Sequence, residues 1–218
     1  MAVHTRPQRA AEAVPAWWRR PWVLPLAVLV AAFLGFTLPR YLGLDRSLTP
    51  VVLRFSMQYP VVVAHVLFGS LTLVAACLQV WPALREEYPA VHRWIGRVYA
   101  WCGVLPTGLL ALVLAPFSHG PAGNVLAAVL WLLATGAGIR AARQRRYADH
   151  RRWMVYSFAL TMSFLWGRVM FMTLPMMPGF DTSDPHTMTV TFDTASWIGV
   201  FINLLLAHAW LRWTPRRS

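Results

Sequence analysis

Six long apolar runs, separated by short polar stretches, organise this chain. They cover residues 22–38, 61–80, 94–117, 123–139, 153–174 and 195–211. A helix needs about 20 apolar residues to cross the hydrocarbon core of a bilayer. Backbone polar groups must be satisfied within lipid, and these runs are too long and continuous for the strands of a barrel. The pattern predicts an all-α polytopic membrane protein with six transmembrane helices in residues 22–213, flanked by tails at 1–21 and 214–218.

The composition excludes several classes of protein. Apolar residues make up 57% of the chain and charged residues 13%, and the mean hydropathy is +0.48. A soluble domain carries about 25% charged residues. The chain is therefore not a soluble enzyme or a disordered protein. Its two cysteines lie within apolar runs, where cysteine is usually a small apolar filler, so a disulfide-stapled secreted domain is also excluded.

The distribution of arginine predicts the topology. The formal net charge is +12, and every basic residue is arginine. With the N-terminus inside, sixteen of the twenty arginines fall in the tails, the two inner loops and the helix ends that adjoin them, three fall outside, and Arg168 lies deep within a run. Such asymmetry favours both termini inside and explains the charge without a nucleic-acid partner. We expect a multi-pass protein of the bacterial cytoplasmic (inner) membrane, whose arginine-rich inner face contacts anionic lipid.

Two ionisable residues within the runs predict a site near the outer face. His65 lies about one turn into the second run, and Arg168 lies at a similar depth in the fifth. An ionisable residue inside a span is costly and marks a functional hypothesis. Arg168 would neutralise an anionic group such as a haem propionate, a carboxylate or a phosphate, with Asp193 and Asn203 as neighbours. The alternative is a structural pair that ties helices together.

Three histidines predict a second site near the inner face. His92 and His150 each precede an apolar run at about equal depth, and His208 lies within the last run. Histidine is a common axial ligand of haem and of transition metals, so two histidines on different helices would hold one haem between them. The alternative is that these are interfacial residues whose neighbouring arginines bind anionic lipid.

A motif along the chain resembles a known family. Its elements are His65, Gly69 and Gln79, then His92-Arg-Trp-Ile-Gly-Arg-Val-Tyr99, then His150-Arg-Arg-Trp-Met154, then Arg168. This pattern resembles a widespread bacterial family of predicted membrane proteins of unknown function, over about residues 60–172. The residues that match the motif include His65, His92, His150 and Arg168, which the depth argument also selects. The histidine-bearing hairpins are similar, at the level of fold, to those of b-type cytochromes.

Three functions are compatible with these features. The leading hypothesis is a membrane redox protein that binds haem b, or acts on a quinone, through His65, His92, His150, His208 and Arg168. A second is a non-catalytic accessory subunit or assembly factor that docks other membrane protein subunits through a belt of tryptophans at the inner interface. These are Trp17, Trp18, Trp22, Trp81, Trp94, Trp153, Trp210 and Trp213. A third is a small-anion transporter with His65 and Arg168 as its site, although the broken helices and pseudo-symmetry expected of a transporter are not evident.

Overall fold

The computed structural model describes residues 22–48, 53–178 and 183–214, and within these ranges the chain is helical without any strand. The α-helices, in chain order, are α1 (Val23–Thr37), α2 (Pro39–Leu42), α3 (Gln58–Val80), α4 (Pro82–Glu86), α5 (Pro89–Arg97), α6 (Leu105–Leu114), α7 (Pro121–Arg143), α8 (Tyr147–Thr173) and α9 (Pro185–Trp213). The predicted all-α fold is confirmed. The predicted tail at 1–21 and residues 215–218 lie outside the described residues.

Five helical stretches in the described ranges are long and apolar enough to cross a membrane. They are Val23–Leu42, Gln58–Val80, Pro89–Phe117, Pro121–Arg143 and Pro185–Trp213. These correspond to five of the six predicted runs. The remaining run, the fifth (residues 153–174), lies in α8, which has 27 residues. The helix α8 carries Arg151, Arg152, Arg168 and several hydroxyl side chains, which make it less apolar than the other long helices.

Most of the helices extend past the apolar runs that predicted them. The last run was predicted to begin at residue 195, but α9 begins at Pro185. Asp184 caps this helix, because its carboxylate accepts hydrogen bonds from the amides of His186 and Thr187. The Thr187 hydroxyl and these amides hold the pKa of Asp184 below its usual range. A hydropathy pattern does not detect a helix start of this kind, because the residues of the first turns are polar.

The third predicted span is interrupted by a π-helical segment. α5 and α6 are joined by residues Val98–Val104, and the N–H of Leu105 bonds to the carbonyl of Ala100, five residues earlier. Pro106 follows directly. Proline has no N–H to donate and its ring crowds the preceding turn, so the wider turn accommodates it. The chain nevertheless continues as one helical stretch from Pro89 to Phe117.

Successive long helices run antiparallel, and their ends meet in a way that defines one face of the bundle. Gln79, near the end of α3, bonds to the first turn of α5. His150, in the first turn of α8, bonds to the last turns of α7. Arg151 donates to Thr214, directly after α9. We call this face the arginine-rich end: α3, α7 and α9 finish there, and α5 and α8 begin there.

The core lies where the π-helical segment meets α3, α7, α8 and α9. Its buried side chains include Ala76, Tyr99, Trp131, Leu160 and Val200, one from each of these elements. α7 packs on α6, α8 and α9, and α8 also packs on α9. A second cluster fixes α1 against α3 and α8. The arrangement places the faces of α5 and α8 that carry the motif histidines toward the interior.

Candidate functional site

His150 is oriented by a backbone carbonyl of the neighbouring helix. Its Nδ1 lies 2.9 Å from the carbonyl oxygen of Gly138 in α7. A carbonyl only accepts, so Nδ1 carries the hydrogen, and the neutral ring keeps its lone pair on Nε2. Histidines that bind a metal are typically held in this way. A Cβ at Gly138 would lie 2.8 Å from the Met154 sulfur, so glycine permits the close approach of α8.

His92 occupies the matching position in α5. It is the fourth residue of α5, as His150 is of α8. Its carbonyl oxygen accepts a 2.7 Å hydrogen bond from Gln79 Nε2. Its Nδ1 is buried and has no hydrogen-bond partner among the described residues. His150 is close enough to act electrostatically on the His92 ring, as are Arg85 and Arg93. The fold thus brings the two motif histidines to one region of the arginine-rich end.

A buried hydroxyl network lies beyond the two histidines, and sequence reasoning did not anticipate it. The hydroxyl of Tyr99 lies 2.7 Å from Ser157 Oγ and 3.0 Å from Thr161 Oγ1. Trp131 Nε1 donates to Thr161 Oγ1 at 3.1 Å, and Thr135 Oγ1 lies 2.7 Å from Ser157 Oγ. Each of the five side chains is at most 3% exposed. The network ties the π-helical segment to α7 and α8.

This network shows which faces of α5 and α8 oppose each other. Tyr99 follows His92 by seven residues, and Ser157 follows His150 by seven. Seven residues are about two α-helical turns, so His150 and Ser157 share one face of α8. Tyr99 is only the second residue of the π-helical segment, so it also lies about two turns beyond His92 on nearly the same side. Because Tyr99 and Ser157 are in hydrogen-bond contact, the faces that carry His92 and His150 point toward each other.

His65 and Arg168 lie together at the opposite end of the bundle. The Nδ1 of His65 is 3.2 Å from the carbonyl oxygen of Thr107 in α6, which leaves its Nε2 with the lone pair. Arg168 is close enough to act electrostatically on His65. The Arg168 side chain is exposed, and it lies in the last turns of α8, where a long side chain reaches the interface.

The side chains of Asp193 and Asn203 were predicted to lie beside His65 and Arg168, but their hydrogen bonds are made elsewhere. Asp193 Oδ1 accepts from the amide of Gly123 at 2.9 Å, and its Oδ2 accepts from the indole of Trp197 at 3.2 Å. Gly123 lies in the first turn of α7, where amides lack helical partners and a carboxylate is stabilising. Asn203 donates to the carbonyl of Gly199 in its own helix at 2.8 Å. Asp193 therefore caps α7, and Asn203 is bonded within its own helix.

His208 has a different environment from His92 and His150. Its side chain is exposed, and its Nδ1 lies 3.1 Å from the hydroxyl of Tyr156 in α8. An exposed position on a membrane helix faces lipid or the interface. His208 therefore differs from His92, which is partly buried with a buried ring nitrogen, and from His150, which bonds to a backbone carbonyl.

The network makes a stability prediction. Tyr99→Phe removes the hydroxyl that contacts Ser157 and Thr161. Hydrogen bonds between membrane helices contribute about 0.6 kcal/mol on average and up to about 1.7, so we expect the free energy of unfolding to fall by about 1 kcal/mol. Thermal denaturation in detergent measures it. The matched control is Tyr156→Phe, whose hydroxyl contacts exposed His208. Equal stability of the two variants would contradict a structural role for the network.

Comparison with known proteins places the chain in a family. A profile of the family described as "Predicted membrane protein (DUF2306)" matches residues 62–211. No curated protein and no solved structure matches the chain. The matched region runs from α3 to the last turns of α9, and therefore contains the histidine pair, the hydroxyl network, His65 and Arg168. It confirms the resemblance found in the motif and extends it through the last helix. The protein is an integral membrane protein that belongs to the DUF2306 family.

Proposed function

We propose that this protein is a membrane redox protein that binds haem b at the arginine-rich end, where His92 and His150 would hold it. One observation carries the proposal: Tyr99 and Ser157, which lie two turns beyond the two histidines on the same helix faces, are in hydrogen-bond contact. Imidazole is a common ligand of haem iron, and helical bundles build cofactor sites from side chains on facing helices. A bound haem supplies one-electron transfer at its iron.

The chemistry of the two rings supports this assignment. The bond from His150 Nδ1 to Gly138 fixes the ring and leaves Nε2 as the electron-pair donor. The Nδ1 of His92 is a buried polar atom without a partner in the described structure. An unpaired buried polar atom is costly, and coordination through Nδ1 itself, or a hydrogen bond from Nδ1 to a group of the bound ligand, would offset that cost.

The arginines next to the histidines fit the periphery of a haem. Arg93 follows His92 in the sequence, and Arg151 and Arg152 follow His150. A guanidinium pairs well with a carboxylate such as a haem propionate. The side chains of all three arginines are exposed. Arg151 uses one nitrogen to donate to Thr214, so Arg93, Arg152 and the remaining N–H groups of Arg151 would hold propionates at the membrane surface.

His65 and Arg168 support a second redox partner at the opposite end. The lone pair on His65 Nε2 suits the hydroxyl of a quinol, which donates, and the guanidinium of Arg168 suits a quinone carbonyl oxygen, which accepts, so the pair fits a quinone–quinol couple. The proposed haem site and the proposed quinone site share one helix, because α8 carries both His150 and Arg168. We therefore include a quinone among the partners of the proposed function.

We also propose six membrane crossings with both termini on the cytoplasmic side of a bacterial inner membrane. Support comes from α8, which has 27 residues and packs between α7 and α9, and a helix of that length spans about 40 Å. Sixteen of the twenty arginines fall on the proposed inner side, as the positive-inside rule requires.

The stoichiometry of bound haem tests the proposal. The full chain is purified in detergent from cells supplied with haem, and haem is quantified against protein. We expect a ratio near one haem per chain. Protein that contains no haem, and that takes up none when haemin is added, would contradict the proposal. An accessory subunit or assembly factor would then be the better hypothesis, and partner chains should co-purify in mild detergent.

A further inference from the structure

A groove opens on the lipid-facing side of the bundle between the π-helical segment and the last turns of α7. It has a volume of about 460 Å³. Its lining residues are Trp101, Gly136, Ile139, Arg140, Arg143 and Gln144. Trp101 comes from the π-helical segment, and the others lie on or directly after the part of α7 that approaches the arginine-rich end. The groove is separate from the histidine pair and from the hydroxyl network.

The two arginines of the groove are not neutralised by the protein. Within the described ranges no carboxylate lies at ion-pair distance from Arg140 or Arg143, whereas Arg146 at the start of α8 is paired with Asp149 at 2.7 Å. The guanidinium carbon of Arg143 lies 5.9 Å from the ring centroid of Trp101, a cation–π distance. This contact directs positive charge into the groove and leaves its guanidinium edges free to donate.

The floor of the groove is shaped for an alkyl chain. Gly136 is exposed, and a Cβ placed there would meet no atom within 4 Å. The Trp101 side chain is 50% exposed, and Ile139 completes an apolar surface beside the arginines. Tryptophan side chains concentrate at the level of lipid headgroups. The groove thus combines a cationic mouth with an apolar floor, the two parts that one phospholipid requires.

We propose that this groove binds a single anionic phospholipid, whose phosphate is held by Arg140 and Arg143 and whose acyl chain lies along Gly136, Ile139 and Trp101. Charge complementarity selects the occupant, because a guanidinium pair recognises phosphate with several charge-assisted hydrogen bonds. A lipid of net negative charge is favoured over a zwitterionic one, whose choline or ethanolamine amine would meet the same arginines. The site does not depend on haem binding.

Native mass spectrometry of the purified full chain tests the site. Protein is titrated with phosphatidylglycerol or with phosphatidylcholine of the same acyl chains. We expect one phosphatidylglycerol to remain bound at concentrations at which phosphatidylcholine does not. Each arginine near a membrane surface contributes about fivefold to the affinity for anionic lipid. The double variant Arg140→Gln with Arg143→Gln should therefore weaken binding about thirtyfold.

A matched control separates the groove from the general charge of the face. Arg85→Gln with Arg212→Gln removes two exposed arginines from the same end of the bundle. These arginines lie outside the groove, so we expect phosphatidylglycerol binding to change by less than about threefold. If phosphatidylglycerol binding weakens equally in both double variants, the proposal is overturned, because lipid binding would then depend only on the net charge of this end.

A second variant tests the shape of the groove without altering its charge. Gly136→Leu places a side chain in open space, so the fold is expected to survive, while the floor of the groove is filled. Binding of phosphatidylglycerol should fall at least tenfold with unchanged circular dichroism. Unchanged lipid binding in this variant would overturn the proposed position of the acyl chain and with it the site.

Discussion

His150→Ala is expected to yield a folded protein that has lost its haem. The substitution removes one proposed axial ligand together with the hydrogen bond to Gly138 that orients it. Loss of an outer-sphere hydrogen bond alone typically lowers metal affinity tenfold to a hundredfold, so we expect haem content to fall by at least about tenfold. Haem content per chain measures the effect, and circular dichroism and gel filtration verify the fold. His92→Ala should behave in the same way.

The matched control for this prediction is His208→Ala. His208 is exposed and contacts the hydroxyl of Tyr156, so its removal should leave haem content unchanged. His150→Met distinguishes a ligand role of His150 from a purely structural one. Methionine ligates haem iron and raises its potential relative to two histidines, so this variant should retain pigment with a higher midpoint potential. Full haem content in both alanine variants would rule out the histidine pair as ligands.

Gly103→Val is expected to destabilise the fold more than any hydroxyl deletion in the core. A Cβ at this position of the π-helical segment would lie 2.7 Å from Thr72 Oγ1 and 3.3 Å from Thr72 Cα. Thr72 is 1% exposed and donates to the carbonyl of Phe68, so its side chain has no open space to enter. The backbone of α3 must move instead. Overpacking of this kind costs about 1–3 kcal/mol.

The melting temperature in detergent measures this effect. Gly35→Val in α1 is the control, because a Cβ there meets no atom within 4 Å while the backbone context is also helical. We expect the Gly35 variant to melt close to the wild-type temperature and the Gly103 variant several degrees lower. If the two variants have the same melting temperature, α3 and the π-helical segment are not in close contact at Gly103.

The membrane helices were predictable because apolar length alone determines them, whereas their ends and irregularities depend on local polar contacts. The pattern locates α3 and α7 within a few residues. It misses the start of α9 at Pro185, which depends on the cap from Asp184. It also misses the π-helical turn before Pro106, because a proline within an apolar run is compatible with a kink, a break or a wider turn.

The candidate site was predictable in part. Equal depth along two helices was enough to group His92 with His150, since each begins a helix at the same membrane face. The hydroxyl network was missed because isolated serine and threonine residues in a membrane helix usually bond to their own backbone. The signal that would have revealed it is the shared spacing of seven residues from His92 to Tyr99 and from His150 to Ser157.

The position of Asp193 was not predictable from depth. Asp193 and His65 belong to the same half of the membrane by count, yet Asp193 caps α7. Which helix a side chain faces depends on the packing order of the bundle, and α9 packs on α7 and α8 rather than on α3. A linear count along the chain carries no information about that order.

The absorption spectrum of the purified protein, oxidised and then reduced with dithionite, tests the central claim most directly. The protein is prepared in detergent from cells supplied with haem. Two histidine ligands predict a Soret band in both states, and sharp α and β bands that appear on reduction. A colourless protein would contradict the proposal that His92 and His150 hold a haem.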